Sequence, residues 1–359
     1  MKEFNILLLP GDGIGPEITE EAVKVLNAIA RIFDLKFNFS EAPIGGCAID
    51  SYGDPFPEIT RDSCKKADAV LLAAVGGPKW DTTDPKKKRP EDGLLALRKE
   101  LNTFANLRPV KVYEVLKDSS PLKPDIVSGT DLLIVRELTG GIYFGKKGRE
   151  NGAAFDTNYY TREEIERCLE LAFKIATERR RKLTLVDKAN VLETSRLWRE
   201  IFFALSQKYP EVETEVLLVD NAAMQLIRRP SSFDVIVTEN MFGDILSDEA
   251  ATIAGSIGLL ASASIGATHP YLYEPIHGSA PDIAGKGLAN PLGMILSAAL
   301  MLRYSFNLVK AASLIEQAVG EVLKDGYRTP DLAVKEDKAV VGTQEMGNLI
   351  VEYIEKLSF

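Results

Sequence analysis

Two aspartates, Asp244 and Asp248, stand four residues apart in the stretch Phe233–Gly258, FDVIVTENMFGDILSDEAATIAGSIG. On a helix that spacing puts both carboxylates on one face. Two like charges so close repel unless a cation lies between them, and oxygen-only ligands suit a hard ion such as Mg2+ or Mn2+. A solvated acidic face is the other reading of a D-x-x-x-D pair standing alone. The run that follows, Ala250–Ala263, is nearly devoid of charge, so the acidic face borders something buried.

Other groups of the same chemical interest lie at the ends of apolar runs. LTLVD leads to Lys188, EVLLV to Asp220, and DVIVT to Glu239, Asn240 and Asp244. In open α/β sheets ligands gather at the C-terminal edge of the strands, so Lys188, Asp220 and the Asp244/Asp248 pair are expected to face one crevice. Arg98, Arg108 and Arg136 stand near the ends of neighbouring elements. Guanidinium forks pair bidentately with carboxylates, which makes the three a candidate clamp; singly, each reads as a surface ion-pair partner. Tyr143, in GGIYFG, is either a proton donor or a half-buried aromatic.

The elements that must position these groups follow from periodicity. Phe4–Leu9 (FNILLL) reads as a buried strand, and PGDGIGP turns the chain into a helix with Pro16 at its first position. Ile18, Ala22, Val25, Ile29 and Ile32 form that helix's apolar stripe. Glycines at 11, 13 and 15 approach a dinucleotide fingerprint, with Pro16 in the third glycine's place and Glu41 available for a ribose; a plain tight turn is the alternative. Ala69–Ala74 is a second buried strand, the run Lys86–Arg89 a solvated loop, and Glu91–Asn102 a helix presenting Glu91, Leu94, Leu95 and Arg98 within about two turns. Gly148–Tyr160 has the pattern of a hairpin whose edge needs cover from another chain. Thr161 and Glu164 form a capping box for a helix with Ile165, Cys168, Leu169, Ala172 and Ala176 inward. Tyr273–Pro291 reads as a long loop ahead of a helix over Leu292–Leu302; it suits an anionic ligand at the helix N-terminus or serves as a structural loop. Helical patterns at Val309–Leu323 and Glu345–Leu357 look like scaffold. Strands alternating with helices give an α/β class.

Composition narrows the function. A chain of 359 residues with 45% hydrophobic content supports about two domains. The net charge of −9 argues against a nucleic-acid surface, and no uncharged apolar run reaches membrane-spanning length. Cys47, Cys64 and Cys168 are odd in number and scattered, as expected of reduced thiols in a cytoplasm. The start of the chain lacks the pattern of a signal peptide. With only His269 and His277, histidine-rich metal or triad chemistry is not expected.

Nine segments together resemble the β-decarboxylating isocitrate/isopropylmalate dehydrogenases, on the isopropylmalate side of that family. They are LLLPGDGIGPEI, GGPKWD, RPEDGLLALRKEL, NLRPVK, VRELTGGIYFG, VDKANVLETSRLWRE, VDNAAMQL, TENMFGDILSDEAA and EPIHGSAPDIAGKGLANP. The resemblance runs essentially end to end. It implies a two-domain isopropylmalate-dehydrogenase-like α/β fold, not a standard Rossmann fold. A discontinuous NAD-binding domain would comprise 1–103 plus 256–359. A substrate, metal and dimerisation domain would comprise 104–255, with an intersubunit arm near 148–160 and the active site in the cleft between domains. The glycine turn is then not the dinucleotide fingerprint. NAD would instead meet Glu274, His277, Gly278, Ser279 and Ala280, then Asp282, Ile283 and Asn290, with help from Gly76, Gly77 and Glu91.

The resemblance also implies a homodimer with shared active sites, Lys188 and Asp220 coming from the partner subunit. Mg2+ or Mn2+ would be held by Asp244, Asp248 and that Asp220, which also contacts substrate. Arg98, Arg108 and Arg136 would bind the substrate's carboxylates, Lys188 would take the hydroxyl proton, and Tyr143 would protonate the product enol. Leu94 and Leu95 suit an isopropyl group; a polar extension stranded there would cost on the order of 1–3 kcal/mol. Asp282 accepts hydrogen bonds from a free ribose 2′-hydroxyl and repels a 2′-phosphate, favouring NAD; NADP-using isocitrate relatives carry lysine and tyrosine where this chain has Asp282 and Ile283. The implied activity is oxidative decarboxylation of (2R,3S)-3-isopropylmalate to 4-methyl-2-oxopentanoate and CO2, in leucine biosynthesis. A dehydrogenase for another malate, such as tartrate or homoisocitrate, and a non-catalytic regulatory relative are the rivals.

Overall fold

The structure, a computed structural model, describes residues 2–82, 84, 87–333 and 339–358. Lys86, within the expected solvated run, lies outside the described residues. The chain divides into two compact units, Met1–Asn102 with Ser256–Phe359, and Thr103–Gly255.

The first part of unit one runs β1 (Lys2–Gly11), α1 (Gly15–Phe33), β2 (Leu35–Glu41), α2 (Gly46–Tyr52), α3 (Glu58–Cys64), β3 (Ala69–Ala74) and α4 (Pro90–Glu100). Unit two follows with β4 (Thr103–Lys111), α5 (Pro124–Val127), β5 (Asp131–Glu137), β6 (Lys147–Glu150), β7 (Ala153–Asp156), α6 (Arg162–Glu178), β8 (Lys182–Asp187), α7 (Glu193–Ser206), β9 (Glu213–Leu218), α8 (Val219–Arg228), β10 (Val235–Thr238) and α9 (Asn240–Ile253). Unit one resumes with β11 (Ala261–Gly266), β12 (Tyr271–Pro275), α10 (Leu292–Tyr304), α11 (Val309–Lys324), β13 (Tyr327–Arg328), β14 (Ala339–Val340) and α12 (Thr343–Leu357).

In unit one the strands lie in the order β2-β1-β3-β12-β11, parallel except for the antiparallel β11/β12 pair. β3 (AVLLAA) is buried along its whole length, as a parallel strand covered on both faces must be. Pro16 stands second in α1, just inside its start at Gly15, and Asp34, at φ 53°, ends it in the left-handed region. The stripe Ile18, Ala22, Val25 and Ile29 is fully inside. The expected loop over Tyr273–Pro291 begins later than its composition suggests. Tyr271–Pro275 is the strand β12, pairing with Ala261–Ser264, and Tyr273 is buried. Glycine and proline density marks the irregular part well, whereas Tyr273 and Glu274 are held in a strand by ladder pairing across the sheet, which composition does not register.

In unit two the order is β4-β5-β10-β8-β9, antiparallel at β4/β5 and parallel beyond. The Thr161–Glu164 capping box is present in both directions, and Ile165, Cys168, Leu169, Ala172 and Ala176 are buried. β6 and β7 form the expected hairpin, a two-stranded sheet with no third strand among the described residues and with β7 exposed throughout. Trp198 of α7 is buried edge-on against Tyr160, ring centroids 5.6 Å apart. The three cysteines are free thiols. Among the described residues no helix is long and apolar enough to cross a membrane.

Candidate active site

Arg108 and Arg136 come from adjacent antiparallel strands, β4 and β5, and both turn toward α9. Arg136 donates from Nε and Nη2 to Asn240 Oδ1, at 3.0 and 2.8 Å, and from Nη1 to Asp244 Oδ1. Arg108 donates to Asn106 Oδ1 (2.7 Å), Ser247 Oγ (2.7 Å) and Asp248 Oδ1 (3.0 Å). Both guanidinium groups are buried. Packing α9 onto the Arg136 stem requires Gly243: a Cβ there would stand 2.6 Å from Arg136 Cγ.

Asp244 and Asp248 share the face of α9 that their spacing predicted. Tyr143 donates its hydroxyl to Asp244 Oδ2 (2.7 Å) and lies under the Arg136 guanidinium, 5.6 Å from its ring centroid. Burial, then the Asp244 hydrogen bond, raise the Tyr143 phenol above its ordinary value, so it keeps its proton at neutral pH.

Lys188 follows β8, and its Nζ meets Asp220 Oδ1, in the first turn of α8, at 2.5 Å. The ammonium beside it lowers the Asp220 carboxyl. The Lys188 backbone is pinned from two sides. Its N–H donates to buried Ser195 Oγ (3.1 Å), while Asp187 Oδ1 takes the Ala189 N–H (3.0 Å) and receives Arg199 bidentately with Oδ2.

A metal would find a partial oxygen site here. Asp248 is largely exposed and Asp244 partly so, and both are hard carboxylate donors. Among the described residues of one chain, no three His, Cys, Asp or Glu groups converge on a point that would hold an ion. The donor set therefore fits a divalent cation provided a third carboxylate arrives from elsewhere.

Unit one carries the rest. Glu91, Leu94, Leu95 and Arg98 share one face of α4; Leu94 packs partly into the core and Leu95 is exposed. Arg98 pairs with Glu274 of β12 at 2.5 Å, both largely buried. A cleft of about 320 Å3 is lined by Gly77, Pro78, Trp80, Asp81, Pro90 and Glu91.

The glycine turn proves to be a buttress. Ile14 N–H donates to Ser279 O (2.8 Å), and a Cβ on Gly13, at φ +59°, would stand 2.0 Å from that oxygen. The buried Asp12 carboxylate takes the N–H groups of Gly46 (2.7 Å), Cys47 (2.8 Å) and Gly76 (2.9 Å). Ser279 Oγ donates to Gly76 O (2.9 Å). With Asp12 filling the anion position, the turn has no place for a pyrophosphate, and Glu41 simply ends β2.

In the loop ahead of α10, Asn290 is also used internally. Its Oδ1 accepts from Leu292 N–H (3.0 Å) and its Nδ2 reaches Asp331 (3.0 Å). Among the described residues His277 Nε2 is buried without a partner, and burial lowers the ring's basicity, so a neutral imidazole offers one unused hydrogen-bonding atom to a ligand. Gly278, Gly285 and Gly287 border open space, and Asp282 is exposed. These features fit a dinucleotide lying along the loop.

Sequence reasoning placed Glu239 at a strand end without foreseeing its burial, and missed two further buried carboxylates, Glu137 and Asp187, as well as Asp12 and Tyr160. A carboxylate one residue past an apolar strand run was the available signal. It was lost because the neighbouring Arg136 and Lys188 drew the chemistry.

Comparison with known proteins agrees with this architecture. The family profile described as Isocitrate/isopropylmalate dehydrogenase matches residues 5–350. The 3-isopropylmalate dehydrogenase of Clostridium acetobutylicum is 58% identical over 356 residues, covering 98% of this chain and 99% of that protein. That of Aquifex aeolicus is 58% identical over 362 residues, covering 99% of each. Among solved structures, isocitrate dehydrogenase from Methylococcus capsulatus aligns with a TM-score of 0.85 at 38% identity, covering 98% of this chain and 99% of its own. A beta-decarboxylating dehydrogenase from Thermococcus kodakarensis aligns at 0.82 and 37%, covering 99% and 97%. The chain belongs to the isocitrate/isopropylmalate dehydrogenase family.

Proposed function

We propose that this chain is a decarboxylating dehydrogenase that converts (2R,3S)-3-isopropylmalate to 4-methyl-2-oxopentanoate and CO2 with reduction of NAD+, in the cytoplasmic synthesis of leucine. The observation that carries the reading is Asp244, whose two oxygens engage Arg136 and Tyr143 on the same helix face that presents Asp248 to Arg108. Extensive identity to 3-isopropylmalate dehydrogenases supports the choice of substrate.

Arg98, Arg108 and Arg136 bind the substrate's carboxylates as bidentate forks. Leu94 and Leu95, apolar and on the Arg98 face of α4, receive the isopropyl group. Asp244 and Asp248, with Asp220 of the partner subunit, hold Mg2+ or Mn2+. The divalent ion held there would supply stabilisation of negative charge on the C2 oxygen, and the nicotinamide would supply a hydride acceptor for C2. Lys188 of the partner subunit takes the C2 hydroxyl proton. Loss of CO2 breaks the C3–carboxylate bond, whose electron pair becomes the C2–C3 double bond of an enolate, and Tyr143, protonated at neutral pH, returns a proton to C3. NAD lies along Glu274–Asn290 with Gly76, Gly77 and Glu91 beside it, and Asp282 selects a free 2′-hydroxyl.

A homodimer completes the site. Its surface is supported by exposed Met224 and Ile227 on α8, by Ile245 on α9, and by the β6–β7 hairpin. The test is the rise in NADH absorbance on adding 3-isopropylmalate, isocitrate or tartrate, with and without chelator. Turnover confined to the 3-alkylmalate, abolished by chelator and restored by Mg2+ or Mn2+, is expected. A faster rate on isocitrate or tartrate would overturn the substrate assignment.

A further inference from the structure

We propose that Glu239 works as a neutral carboxyl, wedged between Glu137 and Asp187, and positions the strand ends carrying Arg136 and Lys188 by holding Asn158 at the root of the β6–β7 hairpin. The inference rests on the proposed roles of Arg136, Tyr143 and Lys188.

The sheet register creates the arrangement. β10 lies between β5 and β8, parallel to both, with Thr238 aligned to Arg136 and to Val186. One residue further on, Glu239, Glu137 and Asp187 stand abreast, 3%, 0% and 2% exposed. Three adjacent buried negative charges are strongly unfavourable unless each is paired. Burial raises the Glu137 carboxyl, opposed by hydrogen bonds it accepts from Thr139 Oγ1 (2.6 Å), Thr139 N–H (2.7 Å) and Gly140 N–H (2.8 Å) and, least, by Arg167 of α6. Asp187 receives the fork of Arg199 from α7 at 2.9 and 2.8 Å.

Among the described residues Glu239 has no such cation. Its side-chain partner among the described residues is Asn158 Nδ2, at 3.2 Å. The charged or titratable groups bearing on it are Glu137 from β5 and Asp187 from β8, with Tyr160 from the hairpin side. It occupies the N-cap of α9 and yet makes no side-chain capping bond. Burial, with the two neighbouring carboxylates, pushes Glu239 up to about 7 against the single Asn158 bond.

What Glu239 steadies is the reacting end of unit two. Asn158 Nδ2 also donates to Thr194 Oγ1 of α7 (3.0 Å). Tyr159 O accepts from Gly141 N–H (2.9 Å), in the turn that ends at Tyr143. Tyr160 Oη accepts from Asn240 N–H (3.0 Å), and Asn240 in turn fixes Arg136. Ionising Glu239 places three like charges side by side. Relief comes by moving it outward toward water, which draws the head of α9, and with it Asn240 and Arg136, off station.

Infrared difference spectra of the full-length wild type and of E239Q test the protonation. A protonated-carboxyl C=O stretch should be present in the wild type at about pH 6, fade by about pH 8, and be missing from E239Q. Its absence from the wild type, or its persistence in E239Q, overturns the proposal. Carboxyl-13C glutamate NMR of the wild type gives the same answer without a substitution: one glutamate must titrate near neutrality. For the positioning role, kcat at saturating 3-isopropylmalate should fall several-fold on the alkaline side in the wild type, and E239Q should hold its acid-side rate there. An identical alkaline fall in both proteins overturns it. If neither protein oxidises 3-isopropylmalate, the functional reading fails, while the infrared and NMR results still decide the state of Glu239.

Discussion

Arg136 and Asp244 form a guanidinium–carboxylate pair in which the second oxygen of Asp244 is taken by the phenol of Tyr143. One carboxylate thus aligns a cation from β5 with an acid from the following turn. The pair also explains why glycine stands at 243, one residue earlier on α9, where a side chain would enter the Arg136 stem.

Gly243→Ala is therefore a local test of the arginine's placement. The added methyl forces Arg136 or α9 to shift, at about 1–3 kcal/mol of stability. A denaturant midpoint measured alongside KM for 3-isopropylmalate should show the first falling and the second rising at least several-fold. An unchanged KM would separate Arg136 from substrate binding.

Lys188→Met keeps the length and much of the stem while removing the ammonium. General acid–base groups contribute on the order of 10^2–10^4 in rate, and kcat should fall by that order. NAD affinity, measured by calorimetry, should be unaltered. Near-normal kcat would remove Lys188 as the proton acceptor.

Asp282→Lys exchanges a carboxylate that suits a free ribose for a cation that suits a 2′-phosphate. The ratio of kcat/KM for NADP+ over NAD+ should rise by about tenfold or more, equivalent to about 1.4 kcal/mol. A ratio that does not move would detach Asp282 from the cofactor.

Stability should depend on pH through Glu239. Its folded-state value, about 7, exceeds the ordinary glutamate value of 4.5. Between these the folded form holds the proton more tightly, so this contribution is full below the lower value, declines as pH rises, and is gone above the higher one. The loss is at most about 3 kcal/mol. Urea midpoints across this window should fall in the wild type and fall less in E239Q; parallel slopes would contradict the assignment.

Much of the architecture was readable from residue order. β3 announces itself as six consecutive apolar residues, α1 by its stripe and Pro16, and α6 by the Thr161–Glu164 box, because each is specified by contacts within a few residues. The D-x-x-x-D spacing on α9 was equally legible, since helical geometry alone puts Asp244 and Asp248 on one face. Residue types also indicated that Lys188 and Asp220 end neighbouring strand–helix units.

What each side chain touches was settled only by tertiary structure. The strand order β5-β10-β8 brings Glu137, Glu239 and Asp187 abreast although they are far apart in sequence. Glycine spacing alone left the turn open between a dinucleotide fingerprint and a plain tight turn, and only the fold shows the Asp12 carboxylate taking the Gly46, Cys47 and Gly76 N–H groups. Local periodicity encodes which face of an element is apolar. Which distant strand lies alongside, and whether a buried charge has its counter-charge, depends on long-range pairing that the sequence does not write out.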